Sequence, residues 1–280
     1  MAITYGSNIT GTYVGSTSEA SSPNIHYNIS GLQTNDLMIV SCSTIGATIP
    51  DPVTPGFQEI FGGEYQNTLG PGNIRMRMFW KFKTAGETII DVLNIGKITD
   101  GGGYLVVSVR GVDLANPFDL TPDRTLHING GGGGSAFNFP AMTPVTPLSS
   151  VLGFVYSYSS SGTPSTMKWA SPFVDYGTYM NTMLWYSGNF NYAAKHHYVR
   201  AGYLPSWTSG VVDTTISGGY KETWVVAGMA LRDASASSGG RIKYWSGASF
   251  DAKPVKVWNG SAWVEKPAKF WDGTTWKATS

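Results

Sequence analysis

Residues 74–83 alternate apolar and basic side chains with a period of two, and this alternation constrains the fold more than any other feature of the chain. One face carries Ile74, Met76, Met78, Trp80 and Phe82, and the other carries Arg75, Arg77, Lys81 and Lys83. A period of two is typical of a β-strand that has one buried face and one wet face. Phe79 is the apolar exception on the basic face.

Composition extends this interpretation to the whole chain. Charged residues make up 13% of the 280 residues, against about 25% in an average domain, and the 35 glycines favour turns. Other short apolar segments, separated by Gly, Pro, Asn and Asp clusters, are typical of strands. They are residues 25–30, 36–43, 88–93, 103–110, 151–157, 182–186 and 223–231. Amphipathic crossover helices are missing from the pattern, so we predict an all-β fold with a jelly-roll-like β-sandwich.

A Ser- and Gly-rich segment divides the chain. Residues 234–240 have the composition of a flexible linker, so we predict a sandwich domain over 1–233 and a separate segment over 241–280. The N-terminus lacks the pattern of a secretion signal, and no apolar run is long enough to predict a membrane span. Cys42 is the single cysteine and lies in an apolar run, which predicts a buried thiol.

The segment after the linker repeats with a period of thirteen. Tryptophan recurs at Trp245, Trp258 and Trp271, each followed two residues later by glycine and five residues later by another aromatic residue. Lysine precedes each of these tryptophans by two positions. So regular a spacing predicts three copies of one structural unit.

Asn259-Gly260 and Asp272-Gly273 predict two-residue type I′ turns and therefore three small hairpins. In that register Trp258 lies opposite Ser261 and Lys256 lies opposite Trp263, so the two tryptophans are diagonal neighbours on one face. The predicted interface or ligand-binding residues are Lys243, Trp245, Phe250, Lys256, Trp258, Trp263, Lys269, Trp271 and Trp276.

Three functions compete for this aromatic segment. The residues from 241 onward carry seven basic and three acidic side chains, a net charge of +4, while residues 1–240 carry −3. Docking on a protein partner is favoured because large aromatic faces are most often buried in protein contacts. Sugar stacking is the alternative, and nucleic-acid binding is disfavoured because the whole chain carries only +1. A homo-oligomer is also expected.

The sequence offers little chemistry. His196 and His197 are adjacent and would point to opposite faces of a strand. Asp175, Asp213 and Glu222 are the carboxylates considered for glycoside hydrolysis, but no local constellation connects them. We therefore predict no enzyme, no cofactor and no metal site. The loops around Tyr176, Tyr179, Trp185 and Tyr192 are a second place where glycans could bind, although inward-facing rings are favoured there.

Several motifs carry a family resemblance. Asp36-Leu-Met-Ile-Val40, Gly56-Phe57, Trp80-Lys-Phe-Lys83, Gly111-Val-Asp-Leu-Ala-Asn-Pro-Phe-Asp119 and Trp224-Val-Val-Ala-Gly-Met-Ala-Leu-Arg232 resemble a domain of bacteriophage virion and tail-associated proteins. Lys256-Val-Trp-Asn-Gly-Ser-Ala-Trp263 resembles the terminal repeats of phage minor tail proteins. The resemblance implies a virion component, with other virion proteins as partners and a place on the capsid, tail or fibre.

Overall fold

The computed structural model describes residues 3–6, 9–13, 26–45, 49, 52, 54–61, 65–66, 74–91, 102–128, 137–159, 168–184, 194–217, 223–234, 242–245, 250–253, 256–265, 269–271 and 276–278. Within these ranges every regular element is a β-strand, which confirms the all-β prediction. No long apolar helix that could cross a membrane occurs among these residues.

The strands of the N-terminal half are β1 (Thr4–Tyr5), β2 (Ile9–Tyr13), β3 (His26–Asn28), β4 (Leu37–Ile45), β5 (Gln58–Glu59), β6 (Tyr65–Gln66), β7 (Ile74–Phe82), β8 (Ile89–Asp91) and β9 (Gly102–Arg110). Those of the next part are β10 (Asp123–Ile128), β11 (Phe137–Asn138), β12 (Ser150–Ser159), β13 (Lys168–Trp169), β14 (Val174–Leu184), β15 (Ala194–Leu204), β16 (Thr215–Ser217) and β17 (Thr223–Leu231). The repeat segment contains β18 (Ile242–Trp245), β19 (Phe250–Lys253), β20 (Lys256–Trp258), β21 (Trp263–Glu265), β22 (Lys269–Trp271) and β23 (Trp276–Ala278).

Two antiparallel sheets pack face to face. The first has the order β1-β9-β4-β7-β5, with β2 also on β9 and β6 also on β7, and the second has the order β10-β17-β12-β15-β14. The core between them joins residues such as Ile39 and Val107 of the first sheet to Phe154 and Met229 of the second. The sandwich is therefore confirmed. Each half of the chain stays in its own sheet, whereas a jelly roll alternates its strands between two sheets.

Both sheets are also covered on their outer faces. The β3–β8 ribbon packs on the first sheet through Tyr27 and Ile90. The small sheet β11-β16-β13 packs on the second through Trp169 and through Phe139, which follows β11. Strand β4 is consequently buried on both faces. Burial on both faces explains why its sequence is a continuous apolar run and does not alternate.

The wet face predicted for residues 74–83 is not found. Lys81 and Lys83 are buried, and the Lys81 ammonium donates to Glu87 Oε1 at 2.7 Å and to the Pro55 carbonyl at 3.2 Å. Phe79 is buried under the Arg77 guanidinium, which lies 4.7 Å from the ring centroid. Lys81 and Arg77 are therefore paired with carboxylates on this covered face, Arg77 with Glu59 at 2.7 Å.

The two halves of the sandwich repeat one topology. In each sheet the strand that comes last in the chain, β9 or β17, lies between the first strand, β1 or β10, and a long central strand, β4 or β12. The next strand outward is β7 or β15, and the edge beyond it is formed by strands that precede it in the chain. The pair β3–β8 in one half corresponds to β11–β16 in the other. The sandwich is thus a structural duplication, with residues 3–110 as its first half and 111–234 as its second.

Three aligned glycines explain how the small sheet approaches so closely. Gly153 lies opposite Gly202 on one side and opposite Gly228 on the other. A Cβ atom at Gly202 would lie 2.5 Å from Trp169 Cδ1, and one at Gly228 would lie 2.5 Å from Phe139 Cζ. The glycine row therefore forms a shallow trough in which the two aromatic rings are seated.

Candidate functional site: the aromatic hairpins

The repeat segment folds as three antiparallel hairpins, β18–β19, β20–β21 and β22–β23. The prediction of one hairpin per repeat is confirmed. Because a single short hairpin is marginal in water, the local turn chemistry matters for whether each unit forms.

The predicted hairpin register is wrong by two residues. Trp258 lies opposite Trp263, and Lys256 lies opposite Glu265, so the loop is Asn259-Gly260-Ser261-Ala262. The other units agree, with Trp245 opposite Phe250 and Trp271 opposite Trp276. Lys243 and Lys269 therefore lie opposite Ala252 and Ala278, and not opposite the aromatic residues. A slip of two residues leaves each position on the same face of its hairpin, so Trp258 and Trp263 share a face as predicted.

The Asn259 side chain accounts for the longer loop. Its Oδ1 accepts hydrogen bonds from the amides of Ser261 at 2.9 Å and Ala262 at 2.8 Å, and the Asn259 amide donates to the Ala262 carbonyl at 3.0 Å. Gly260 has φ +102°, whereas a type I′ turn would need a positive φ at Asn259 as well. The loop is therefore closed by a side-chain turn. Gly247 and Gly273, predicted to share this geometry, lie outside the described residues.

Trp258 and Trp263 form the exposed pair of the middle hairpin. Their ring centroids are 5.8 Å apart with the planes tilted by 59°, and the two residues are 51% and 66% exposed. The hydrogen bond between Asn259 and Ala262 places the tryptophans at the adjacent, non-hydrogen-bonded position, where opposing side chains approach most closely. The pair is therefore a candidate contact surface, since exposed apolar patches often form such surfaces.

The two faces of this hairpin differ. Val257 lies opposite Val264 on one face, and Val257 is 47% exposed. The other face carries the Trp258–Trp263 pair, with Lys256 opposite Glu265 at its open end. Lys256 is itself exposed. The side chains of the first and third hairpins lie outside the described set, so only their backbone register supports a common aromatic face.

The groups considered for chemistry are not brought together. Asp175 is paired with Arg200, whose Nε lies 2.9 Å from Asp175 Oδ1, and Asp213 is exposed. Glu222 lies outside the described residues, as do Trp185 and Tyr192. His196 and His197 are placed in β15 by their backbone alone. In the described part of the chain no group of three or more His, Cys, Asp or Glu residues could hold a metal ion.

Tyr176 belongs to an inter-sheet aromatic cluster that the sequence did not indicate. Tyr5 stacks on Tyr203 with centroids 3.9 Å apart, and Tyr176 meets both rings edge-on. Tyr176 donates to the Gly6 carbonyl, and burial raises the pKa of Tyr5 although its hydroxyl is hydrogen-bonded to Ser150. The cluster ties the first strand to the second sheet, which supports the interpretation of Tyr176 as an inward-facing ring. Tyr179 is placed in β14 by its backbone alone.

The motif residues of the family resemblance have structural partners. Asp119 accepts from the amides of Val145 and Thr146 at 2.7 and 2.9 Å and from Arg232 at 3.3 Å. Asp36 is paired with both Nε and Nη2 of Arg110 at 2.8 and 2.9 Å. Burial raises the pKa of each carboxyl, but the hydrogen bonds outweigh it and hold both below the usual value.

Comparison with known proteins adds no family to this description. No protein-family model matches the chain, and neither the curated proteins nor the solved structures give a significant match. Fold and surface together define a class: a duplicated β-sandwich followed by hairpin repeats, with an exposed tryptophan pair on the middle hairpin.

Proposed function

We propose that this chain is a non-enzymatic structural protein of a bacteriophage particle that docks on another particle protein through its hairpin repeats. The observation that carries the docking function is the exposure of Trp258 and Trp263 side by side on one hairpin face. The family resemblance supports the assignment to a bacteriophage particle. In this arrangement the sandwich faces outward from the site of attachment.

Protein docking suits the geometry of the pair. Two tilted indole rings form a ridge, and a ridge of tryptophan fits a pocket of a partner and supplies the buried centre that dominates binding energy. Repetition of the same opposed aromatic positions in all three hairpins would multiply this contact along one strip.

Charge defines the partner further. The repeat segment carries +4, while the rest of the chain carries −3. Lys256 is exposed, and an exposed lysine on the rim of an aromatic contact favours a partner with an acidic rim and raises the rate of encounter. The proposed partner is therefore an apolar groove edged by carboxylates on another virion protein.

A carbohydrate-binding adhesin is the second candidate, and the same observation favours it. Indole rings that are more than half exposed can stack on the apolar faces of sugar rings without any rearrangement. The two functions differ in the assembled particle, because docking buries the rings and an adhesin leaves them open.

The deciding experiment uses the full chain with Trp258→Ala and Trp263→Ala together, tested for incorporation into phage particles and for binding to a glycan array. Docking predicts that attachment weakens on the order of 2 kcal/mol or more, about thirtyfold, with no glycan binding by either protein. The matched control is Val257→Ala, which removes an exposed side chain from the opposite face of the same hairpin. Normal incorporation of the double variant, together with lost glycan binding, would establish the adhesin instead.

A further inference from the structure

The first half of the sandwich contains an open pocket beside Arg110. The pocket has a volume of about 340 Å³ and is lined by residues that include Thr4, Gly6, Asn28, Ser108 and Arg110. It lies between the first strand, the last strand of the sheet and the turn that precedes β4. This size is at the lower end of the range for small-molecule sites.

The duplication identifies the equivalent space in the second half. The Gly6 amide donates to the Ser108 carbonyl at 2.9 Å, and the Asp119 amide donates to the Ala230 carbonyl at 2.8 Å. Asp119 therefore takes the place of Gly6, and Arg232 takes the place of Arg110. The Asp119 carboxylate binds Arg232 and the Val145 and Thr146 amides, whereas in the first half the Asp36 carboxylate binds Arg110 and the Gln33 amide.

The first half cannot place a carboxylate at position 6. Gly6 has no side chain, and a Cβ atom there would lie 2.3 Å from the Ser108 hydroxyl oxygen. In the second half Ala230 stands in place of Ser108, which leaves room for Asp119. Position 6 therefore adds no side chain to the pocket beside Arg110.

Arg110 presents a fixed donor pair at this pocket. Its Nε and Nη2 bond the two oxygens of Asp36, which fixes the guanidinium and uses one of its edges. The other edge, with one N–H on Nη1 and one on Nη2, matches the two oxygens of a carboxylate. The Arg110 side chain is 39% exposed, so this edge is accessible to a ligand.

Charge and polarity define the rest of the ligand. Arg110 is the cation of the lining, and Lys83, which lies outside the lining, also acts on the charge of Asp36, so an anion suits the free edge of Arg110. Asn28 uses its Oδ1 to accept from the Ser30 amide at 2.9 Å, so its NH₂ group is oriented as a donor. Thr4 adds a hydroxyl, and Ile29 and Leu32 add an apolar wall.

We propose that this pocket binds a small hydroxylated carboxylate of the sugar-acid class, with the ligand carboxylate on the free edge of Arg110 and its hydroxyls on Thr4 and Asn28. The site belongs to the sandwich and does not depend on the hairpins. Its failure would therefore leave the docking proposal untouched.

Calorimetric titration of the full chain with D-glucuronate, D-glucose, acetate and inorganic phosphate tests the assignment. We expect glucuronate to bind at least tenfold more tightly than glucose, which lacks the carboxylate, and than acetate, which lacks the hydroxyls. Arg110→Lys should weaken glucuronate binding at least tenfold, because an ammonium keeps the charge but loses the paired donors. The matched control is Arg200→Lys, since Arg200 holds Asp175 in the same way and does not line the pocket.

A second variant guards against loss of folding in Arg110→Lys. Thr4 lines the pocket and is exposed, so Thr4→Val, which keeps the shape of the side chain and removes its hydroxyl, should weaken glucuronate binding without lowering the melting temperature. Equal affinity for glucuronate and glucose, binding of phosphate as tight as that of glucuronate, or unchanged binding by Thr4→Val would each overturn the proposal.

Discussion

Asn35 and Leu148 occupy equivalent positions in the two halves of the sandwich, and both have a positive φ, of 72° and 69°. The Asn35 amide donates to the Lys83 carbonyl at 2.9 Å, and the Leu148 amide donates to the Trp207 carbonyl at 3.1 Å. Each residue lies at the end of the turn that precedes a long central strand, β4 in the first half and β12 in the second. The duplicated fold thus imposes one backbone conformation on two very different side chains.

Leu148 should be a site of stabilisation. A left-handed backbone costs an ordinary L-residue about 1 to 2 kcal/mol, while asparagine tolerates it. Leu148 is exposed, so Leu148→Asn should raise the free energy of unfolding by about 1 kcal/mol in urea titration. The reciprocal change, Asn35→Leu, should lower it by a similar amount. A loss of stability in Leu148→Asn would show that the leucine side chain makes a contact worth more than the backbone strain.

Gly202→Ala should destabilise the second sheet. The added Cβ would lie within 2.7 Å of three Trp169 atoms, and Trp169 is stacked on Phe173 with centroids 5.1 Å apart. Overpacking of this kind costs about 1 to 3 kcal/mol, measurable by urea unfolding with tryptophan fluorescence. Gly31→Ala is the control, because its Cβ has open space. Equal effects of the two changes would contradict the trough.

Asp36 should contribute stability that is lost in acid. Its folded pKa lies below the usual value, so the contribution is present above the unfolded pKa of about 4 and disappears as pH falls through the folded pKa. Asp36→Asn should lower stability at pH 7 by about 2 kcal/mol, the value of a charged hydrogen bond. The gap between the variant and the natural protein should narrow toward pH 3. A gap of constant size would contradict the ionised pair with Arg110.

The sandwich should fold without the repeats when the chain ends at Ala234. The Ala234 amide donates to the Gly111 carbonyl at 2.8 Å, and Asp233 is fully buried. A chain ending at Ala234 should melt cooperatively at the temperature of the full chain, whereas one ending at Arg232 should melt several degrees lower. Insolubility of residues 1–234 in the absence of 241–280 would refute the proposed division.

Gly260→Val should unfold the middle hairpin. Its φ of +102° is unfavourable for a β-branched residue, and the cost of about 1 kcal/mol or more is large for a short hairpin. The circular dichroism of the coupled indoles of Trp258 and Trp263 should weaken. Ala262→Val in the same loop, where no positive φ occurs, should leave the signal intact. A signal lost equally in both variants would point to crowding in the loop as its cause.

Much of the fold and some of the candidate site were predictable because they depend on local pattern. The alternation in β7 and the turn residues between short apolar runs indicate strands, whatever their partners are. The thirteen-residue period gave the three hairpins and the shared face of Trp258 and Trp263. The two-residue loop was wrong because a side-chain acceptor, Asn259 Oδ1, competes with the backbone geometry that an Asn-Gly pair usually favours.

The sequence by itself determined the strands, the hairpin repeats and the charge contrast between them, since neighbouring residues set strand pattern and turn chemistry. Only the tertiary structure decided which faces are buried. Lys81 belongs to a basic face that would be wet on a two-layer sandwich, yet the outer segments cover it and Glu87 neutralises it. The duplication was hidden for the same reason: Asn35 and Leu148, or Gly6 and Asp119, differ as side chains, and they correspond only through backbone hydrogen bonds between residues distant in the chain.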